Sequence, residues 1–117
     1  MACVLAGCAA QDARNDARDI ATRFLAAAEN GDAGTACALL APRTREDLET
    51  ADGPCANALP ADELRGSVTA VDTWSDRAKV DTEQGTLFLA EFDAGWRVAA
   101  AGCASEEDAP YRCLVGG

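Results

Sequence analysis

From Asp12 to Asn30 the apolar residues fall at Ala13, Ala17, Ile20, Ala21, Phe24, Leu25 and Ala28. Steps of three and four place them on one helical stripe, while Arg14, Asp16, Arg18 and Arg23 take the other faces. Asn30-Gly31 supplies a helix stop, and Asp32 can cap the element that follows. A second helix is predicted over about Ala33 to Leu40, ending before Pro42. Thr44 with Asp47 reads as a capping box for a third, from Arg45 to about Ala51. Gly53-Pro54 breaks it, and Cys55 to Leu59 has room for one more turn before Pro60.

The period then changes from 3.6 to 2. Val68, Ala70 and Trp74 alternate with Thr69, Val71 and Thr73, so a strand is predicted from Gly66 to Trp74. Ser75-Asp76 turns the chain into Ala78–Thr82, Gln84-Gly85 into Thr86–Phe92, and Asp93-Ala94-Gly95 into Trp96–Ala101. Four consecutive antiparallel strands make a meander. An acidic loop from Ser105 to Pro110 is expected before a short last segment, Tyr111 to Val115. Helices followed by strands give an α+β domain, with the N-terminal helices packed on one face of a curved antiparallel sheet. On the strongest strand, Phe88, Ala90 and Phe92 share a face and are expected to meet Ile20 and Phe24. Trp96 and Val98 follow on the return strand. Leu87, Leu89 and Glu91 are then left on the outer face, to be covered by a partner, by a second copy of the chain or by the C-terminal segment.

At 117 residues the chain is one domain by length. Its formal charge of −10 and the absence of any Lys or Arg run argue against nucleic acid and against a basic membrane-binding patch. Twenty-seven alanines and nine arginines beside one lysine fit a GC-rich coding sequence. Histidine is absent, which removes Ser–His–Asp and Cys–His catalysis in their usual forms. No phosphate-binding glycine loop or calcium loop occurs either. No cofactor, metal or catalytic residue is assigned, and the chain is read as non-enzymatic.

The six cysteines carry more information. Leu5-Ala6-Gly7-Cys8 resembles the bacterial lipobox, in which small residues precede a cysteine that takes a diacylglycerol and becomes the mature N-terminus. Only seven residues precede Cys8 and none is basic, so residues 1–8 read as the remnant of a longer lipoprotein signal. Coding sequence is therefore expected upstream of Met1. The mature domain would span residues 9–117, held by lipid at the outer, extracytoplasmic face of the cell membrane. Cys3 would fall in the discarded segment. Four cysteines then remain, which allow three pairings. Sequential pairing, Cys37 with Cys55 and Cys103 with Cys113, closes the shortest loops in an oxidising compartment. Zinc is the poorer reading without histidine or a C-x-x-C pair.

Two strings carry a family resemblance. Phe24-Leu-Ala-Ala-Ala-Glu-Asn-Gly-Asp32, followed by Ala38-Leu-Leu-Ala-Pro42-Arg-Thr-Arg45, resembles the entry of the nuclear transport factor 2-like superfamily, the cystatin-like cones. Gly85-Thr-Leu-Phe-Leu-Ala-Glu-Phe-Asp-Ala-Gly-Trp-Arg-Val98 is similar to its long sheet hairpin. The resemblance spans about residues 13–101 and looks especially like small exported actinobacterial lipoproteins. It implies a helix closing a sheet cone, and it says little about activity, because this fold hosts enzymes and binding modules alike. Its enzymes place carboxylates and tyrosines inside the cone. The candidates here are Asp72, Glu91 and Tyr111, although no active-site motif aligns and Asp72 reads rather as an edge or rim carboxylate; a cone pocket would be lined by Phe24, Asp72, Trp74, Phe88 and Trp96. Tyr111 is alternatively expected to pack over the second disulfide. The leading expectation is a module that binds a protein partner or a small apolar ligand; the competing one is an isomerase or cyclase with a cone pocket.

Overall fold

A computed structural model describes residues 6–106 and 109–116, with side chains for 11–50, 53–105 and 111–116. Four helices, α1 (Ala6–Glu29), α2 (Ala33–Ala38), α3 (Pro42–Asp52) and α4 (Cys55–Ala58), precede a short 3-10 turn at Ala61–Glu63. Five strands follow: β1 (Val68–Trp74), β2 (Arg77–Thr82), β3 (Gly85–Phe92), β4 (Gly95–Glu106) and β5 (Ala109–Gly116). They form one open antiparallel sheet in the order β1-β2-β3-β4-β5. The α+β class and the helices-first order are as expected from the sequence.

α1 buries the stripe that its periodicity marks. Ala17, Ala21 and Phe24 are fully buried, Leu25 and Ala28 nearly so, and Ala13 and Ile20 pack at the margin. The helix starts at Ala6, well before Asp12, and crosses the expected signal–domain boundary at Cys8. Its side chains at Gln11, Asp12, Arg14, Asn15 and Asp16 are not buried, all but the half-buried Ala13 among its first described ones. At the other end Gly31 adopts φ +76°. The Asp32 N–H then donates to the Ala27 carbonyl (2.8 Å) and the Gly31 N–H to that of Ala28 (3.2 Å). This is the Schellman arrangement that satisfies the last carbonyls of a helix. Asp32 in turn caps α2, accepting from the Thr35 N–H at 3.2 Å. The Thr35 hydroxyl first, and this N–H second, hold its carboxyl below its ordinary pKa.

α3 corrects the expected capping box. Pro42 occupies its first turn and Ala41 precedes it without a side-chain cap. Proline tolerates that position because its missing N–H would be unpaired there anyway. The helix therefore begins three residues early, and the Thr44 hydroxyl instead donates to the Ala99 carbonyl at 2.8 Å. A short parallel bridge between Leu40 and Val98, with Ala41 N–H to Val98 O and Val98 N–H to Leu39 O (both 2.8 Å), fixes the α2–α3 junction against β4.

The last hairpin is also a correction. β4 runs to Glu106 and pairs Glu106 with Ala109 at the start of β5. Ser105, Glu106, Ala109 and Pro110, expected in a loop, therefore lie in strands. Residues 107 and 108 lie outside the described residues. Both sequential disulfides are present. Cys37–Cys55 ties α2 to α4, and Cys103–Cys113 joins residues directly opposite each other on β4 and β5.

The faces of β3 are inverted relative to the sequence reading. Leu87 and Leu89 point into the core beneath α1, with Trp96 and Val98, while Phe88 turns to the other face. β1 differs for a separate reason. A bulge between Val68 and Ala70 shifts its register against β2, so Val68 joins the core while Ala70, Asp72 and Trp74 point outward. An extra residue in a strand reverses the alternation beyond it.

Candidate binding surface

Phe24 and Trp96, two members of the expected pocket, are buried beneath α1. The other three, Asp72, Trp74 and Phe88, belong to the opposite face of the sheet. The ladder shows this: Asp72 stands opposite Lys79, and Lys79 opposite Phe88. The five residues therefore do not line one cavity. Glu91 pairs with Trp96 across β3 and β4 and reaches the rim near Asp16 and Asp19 of α1, apart from Asp72 and Tyr111. A cavity beside Leu25, Leu64 and Leu87, under the helix, is about 10 Å³, no more than a water's room. Among the described residues one buried side-chain group lacks a partner: the Trp96 indole Nε1 makes no hydrogen bond.

The outer face is where the aromatics collect. Of six in the chain, only Phe24 and Trp96 are in the core. Trp74 is 51% exposed, Phe92 43% and Tyr111 36%, and Phe88 is half-buried. Phe88 and Tyr111 meet edge-to-face with centroids 5.0 Å apart. They sit on β3 and β5, so their contact crosses β4, where small residues (Ala99 to Gly102) leave room above the backbone. Two register shifts in β4, between Cys103 and Ala100 and between Ala100 and Val98, bend the sheet there. Gly102 takes φ +63° within this bent stretch, and a β-carbon there would meet Leu114. Tyr111 thus packs on Phe88.

Lys79 completes this cluster. Its Nζ lies 5.7 Å from the Tyr111 ring centroid and 3.8 Å from Asp81 Oδ1, which also accepts from the Thr86 hydroxyl at 3.0 Å. The Tyr111 hydroxyl first, and Asp81 second, hold the ammonium above its ordinary pKa of 10.5. Aromatic rings with a polar tip or a cation alongside are the groups that interfaces favour.

Beyond Lys79 the face continues through Arg77, opposite Trp74 on β1 and Ala90 on β3, to Phe92. There it meets α3. A groove of about 770 Å³ runs between α3 and the sheet, lined by Arg43, Thr44, Leu48, Arg77, Ala90 and Phe92 among others. A second, of about 470 Å³, lies on the other side of α3's first turn, where Pro42, Arg45 and Arg97 again meet Phe92. The sequence reading missed both grooves, since it placed Phe92 in the core.

Among the described residues no cluster of three or more His, Cys, Asp or Glu could hold a metal ion, and no helix is long and apolar enough to cross a membrane. The side chain of Cys8, the expected lipid site, lies outside the described residues. No protein-family model matches the chain, and neither a curated protein nor a solved structure matches it.

Proposed function

We propose that this chain is a non-enzymatic extracytoplasmic binding module that docks a protein partner on the outer face of its sheet and is held at the membrane by a lipid on Cys8. The observation that carries the reading is the allocation of aromatics: four of six lie on the outer face, three of them more than a third exposed. A domain of this size needs its large apolar side chains for its own core. Placing them outside, beside Arg77 and Lys79, is the pattern of a surface that a partner covers. The two disulfides fit an oxidising compartment, in keeping with export and with the lipobox-like string. The long amphipathic helix across a bent antiparallel sheet is compatible with the nuclear transport factor 2-like resemblance. The cone-pocket enzyme is disfavoured, because Phe24, Leu89, Trp96 and Val98 fill the space under α1.

The test is site-specific photocrosslinking in membranes of the producing cell. Trp74→benzoylphenylalanine should capture a protein, and the Phe88→Ala/Tyr111→Ala background should abolish the capture. Arg18→benzoylphenylalanine, on the exposed back of α1, should give none. Equal capture from both sites, or none from Trp74, defeats the docking reading; capture of the chain itself makes it a homodimer face. Mass spectrometry of the same membranes should find Cys8 acylated, and a free thiol there removes the anchor.

A further inference from the structure

Phe92 stands between the two grooves that flank α3, and the charge around it runs against that of the chain. The whole sequence carries −10. The lining of the two grooves includes Arg43, Arg77, Arg45 and Arg97 but only two acidic residues, Glu46 and Asp47. Four of the chain's nine arginines therefore converge on one exposed phenylalanine.

No buried carboxylate holds any of the four among the described residues. Arg45 pairs with Glu49 at 3.6 Å and Arg77 with Asp76 at 3.7 Å, all four side chains being more than 40% exposed. Exposed pairs of this kind are worth little and exchange readily. Arg97 donates to the Trp96 carbonyl through Nη1, and Arg43 makes no ion pair among the described residues. Between the guanidinium groups the floor is apolar: Leu48 from α3, Ala90 and Phe92 from β3.

We infer that this paired recess takes an acidic segment of the protein partner, with an apolar side chain seated against Phe92 and carboxylates reaching the arginines. The inference rests on the docking reading above and gives that partner its chemistry. Guanidinium groups favour carboxylates through paired, charge-assisted hydrogen bonds. The recess lies open along both sides of α3, whereas sites for small apolar ligands enclose most of the ligand's surface. A second copy of the chain would bring another −10 to the contact and be repelled at range.

The experiment uses the oxidised, isotopically labelled chain and three blocked hexapeptides. One alternates glutamate with leucine, one lysine with leucine, and one glutamate with serine. The glutamate–leucine peptide should shift amides of residues 43–48 and 90–94, and binding should weaken as salt rises. The other two should bind at least about tenfold more weakly. Arg43→Gln/Arg77→Gln should lower the affinity by a similar factor while leaving the rest of the spectrum unchanged, which shows that the variant is folded. Equal binding of the lysine peptide, indifference to the arginine substitutions, or no shift at these amides overturns the inference. So does concentration-dependent shifting of the same amides in the free protein, which assigns the recess to a second copy. Shifts confined to Lys79, Phe88 and Tyr111 overturn this recess while leaving the wider docking face standing, and the crosslinking at Trp74 judges that face independently.

Discussion

Substituting Leu89 and Phe88 one at a time tests the orientation of the sheet. Leu89 is 1% exposed, in the core beneath α1, whereas Phe88 is half-buried on the opposite face against Tyr111. Leu89→Ala removes about three buried methylene equivalents at about 0.8 kcal/mol each, a floor of roughly 2.4 kcal/mol. The cavity left behind raises the cost to about 3–4 kcal/mol, since a core held by two disulfides collapses only in part. Phe88→Ala loses one edge-to-face ring contact, worth about 0.5–1.5 kcal/mol, and some half-buried area. A total near 2 kcal/mol is expected. Urea unfolding of the oxidised protein, followed by tryptophan fluorescence, reads both, because Trp96 is buried and reports loss of the core. With an unfolding entropy of about 2.1 cal/mol/K per residue, a 3 kcal/mol loss lowers the melting temperature by about 12 °C. Phe88→Ala costing more than Leu89→Ala would refute the assigned faces, and the docking surface with them.

Two further outcomes follow from the covalent and electrostatic details. Removing Cys37–Cys55 as a double alanine variant should cost about 3.2 kcal/mol and removing Cys103–Cys113 about 2.7 kcal/mol, from loop separations of 18 and 10 residues. Chemical denaturation checks both, and a loss under about 1 kcal/mol for either shows that its loop is already ordered in the unfolded chain. Lys79 is the one lysine, so its side-chain carbon signal titrates without overlap. Its midpoint should lie above 10.5 and fall in Tyr111→Phe. Since the folded pKa is the higher one, the contact's stabilisation is complete below the unfolded pKa and is lost as pH rises through the folded value. A midpoint unchanged by Tyr111→Phe removes the hydroxyl from the account.

Much of this fold is legible in the sequence, and the failures have definite causes. The stripe from Ala13 to Ala28, the Gly31 stop and the Asp32 cap are local signals, and each appears in place. Four cysteines, paired in order, find their partners. Strand parity is different, because alternation separates two faces without saying which is inward. On β3 one set held two phenylalanines and the other two leucines, and side-chain size favoured the wrong set. A better guide lay on β2, where Arg77, Lys79 and Asp81 share one face and Ala78 and Val80 the other. The two-residue turn after Thr82 carries that polarity over, setting Lys79 opposite Phe88 and Val80 opposite Leu87. Charged neighbours thus mark Phe88 as outward. The bulge at Thr69 has no such marker in the residue types, and the pocket assigned to Asp72 failed with it. The grooves at Phe92 depend on where α3 crosses the sheet, a long-range outcome of the Leu40–Val98 bridge that no local pattern encodes.

The length of α1 has a mechanical meaning if Cys8 carries the lipid. The helix is continuous from Ala6 to Glu29, and among its described side chains the first fully buried one is Ala17. At 1.5 Å per residue, about 13 Å of unbroken helix would separate the anchor from Ala17. Lipoproteins tethered by a loose peptide can swivel, whereas here the acyl end and the sheet would be two ends of one stiff lever. The tilt of α1 against the bilayer would then set the direction in which Trp74, Tyr111 and Phe92 face, so that a partner is met at a fixed angle and height above the membrane.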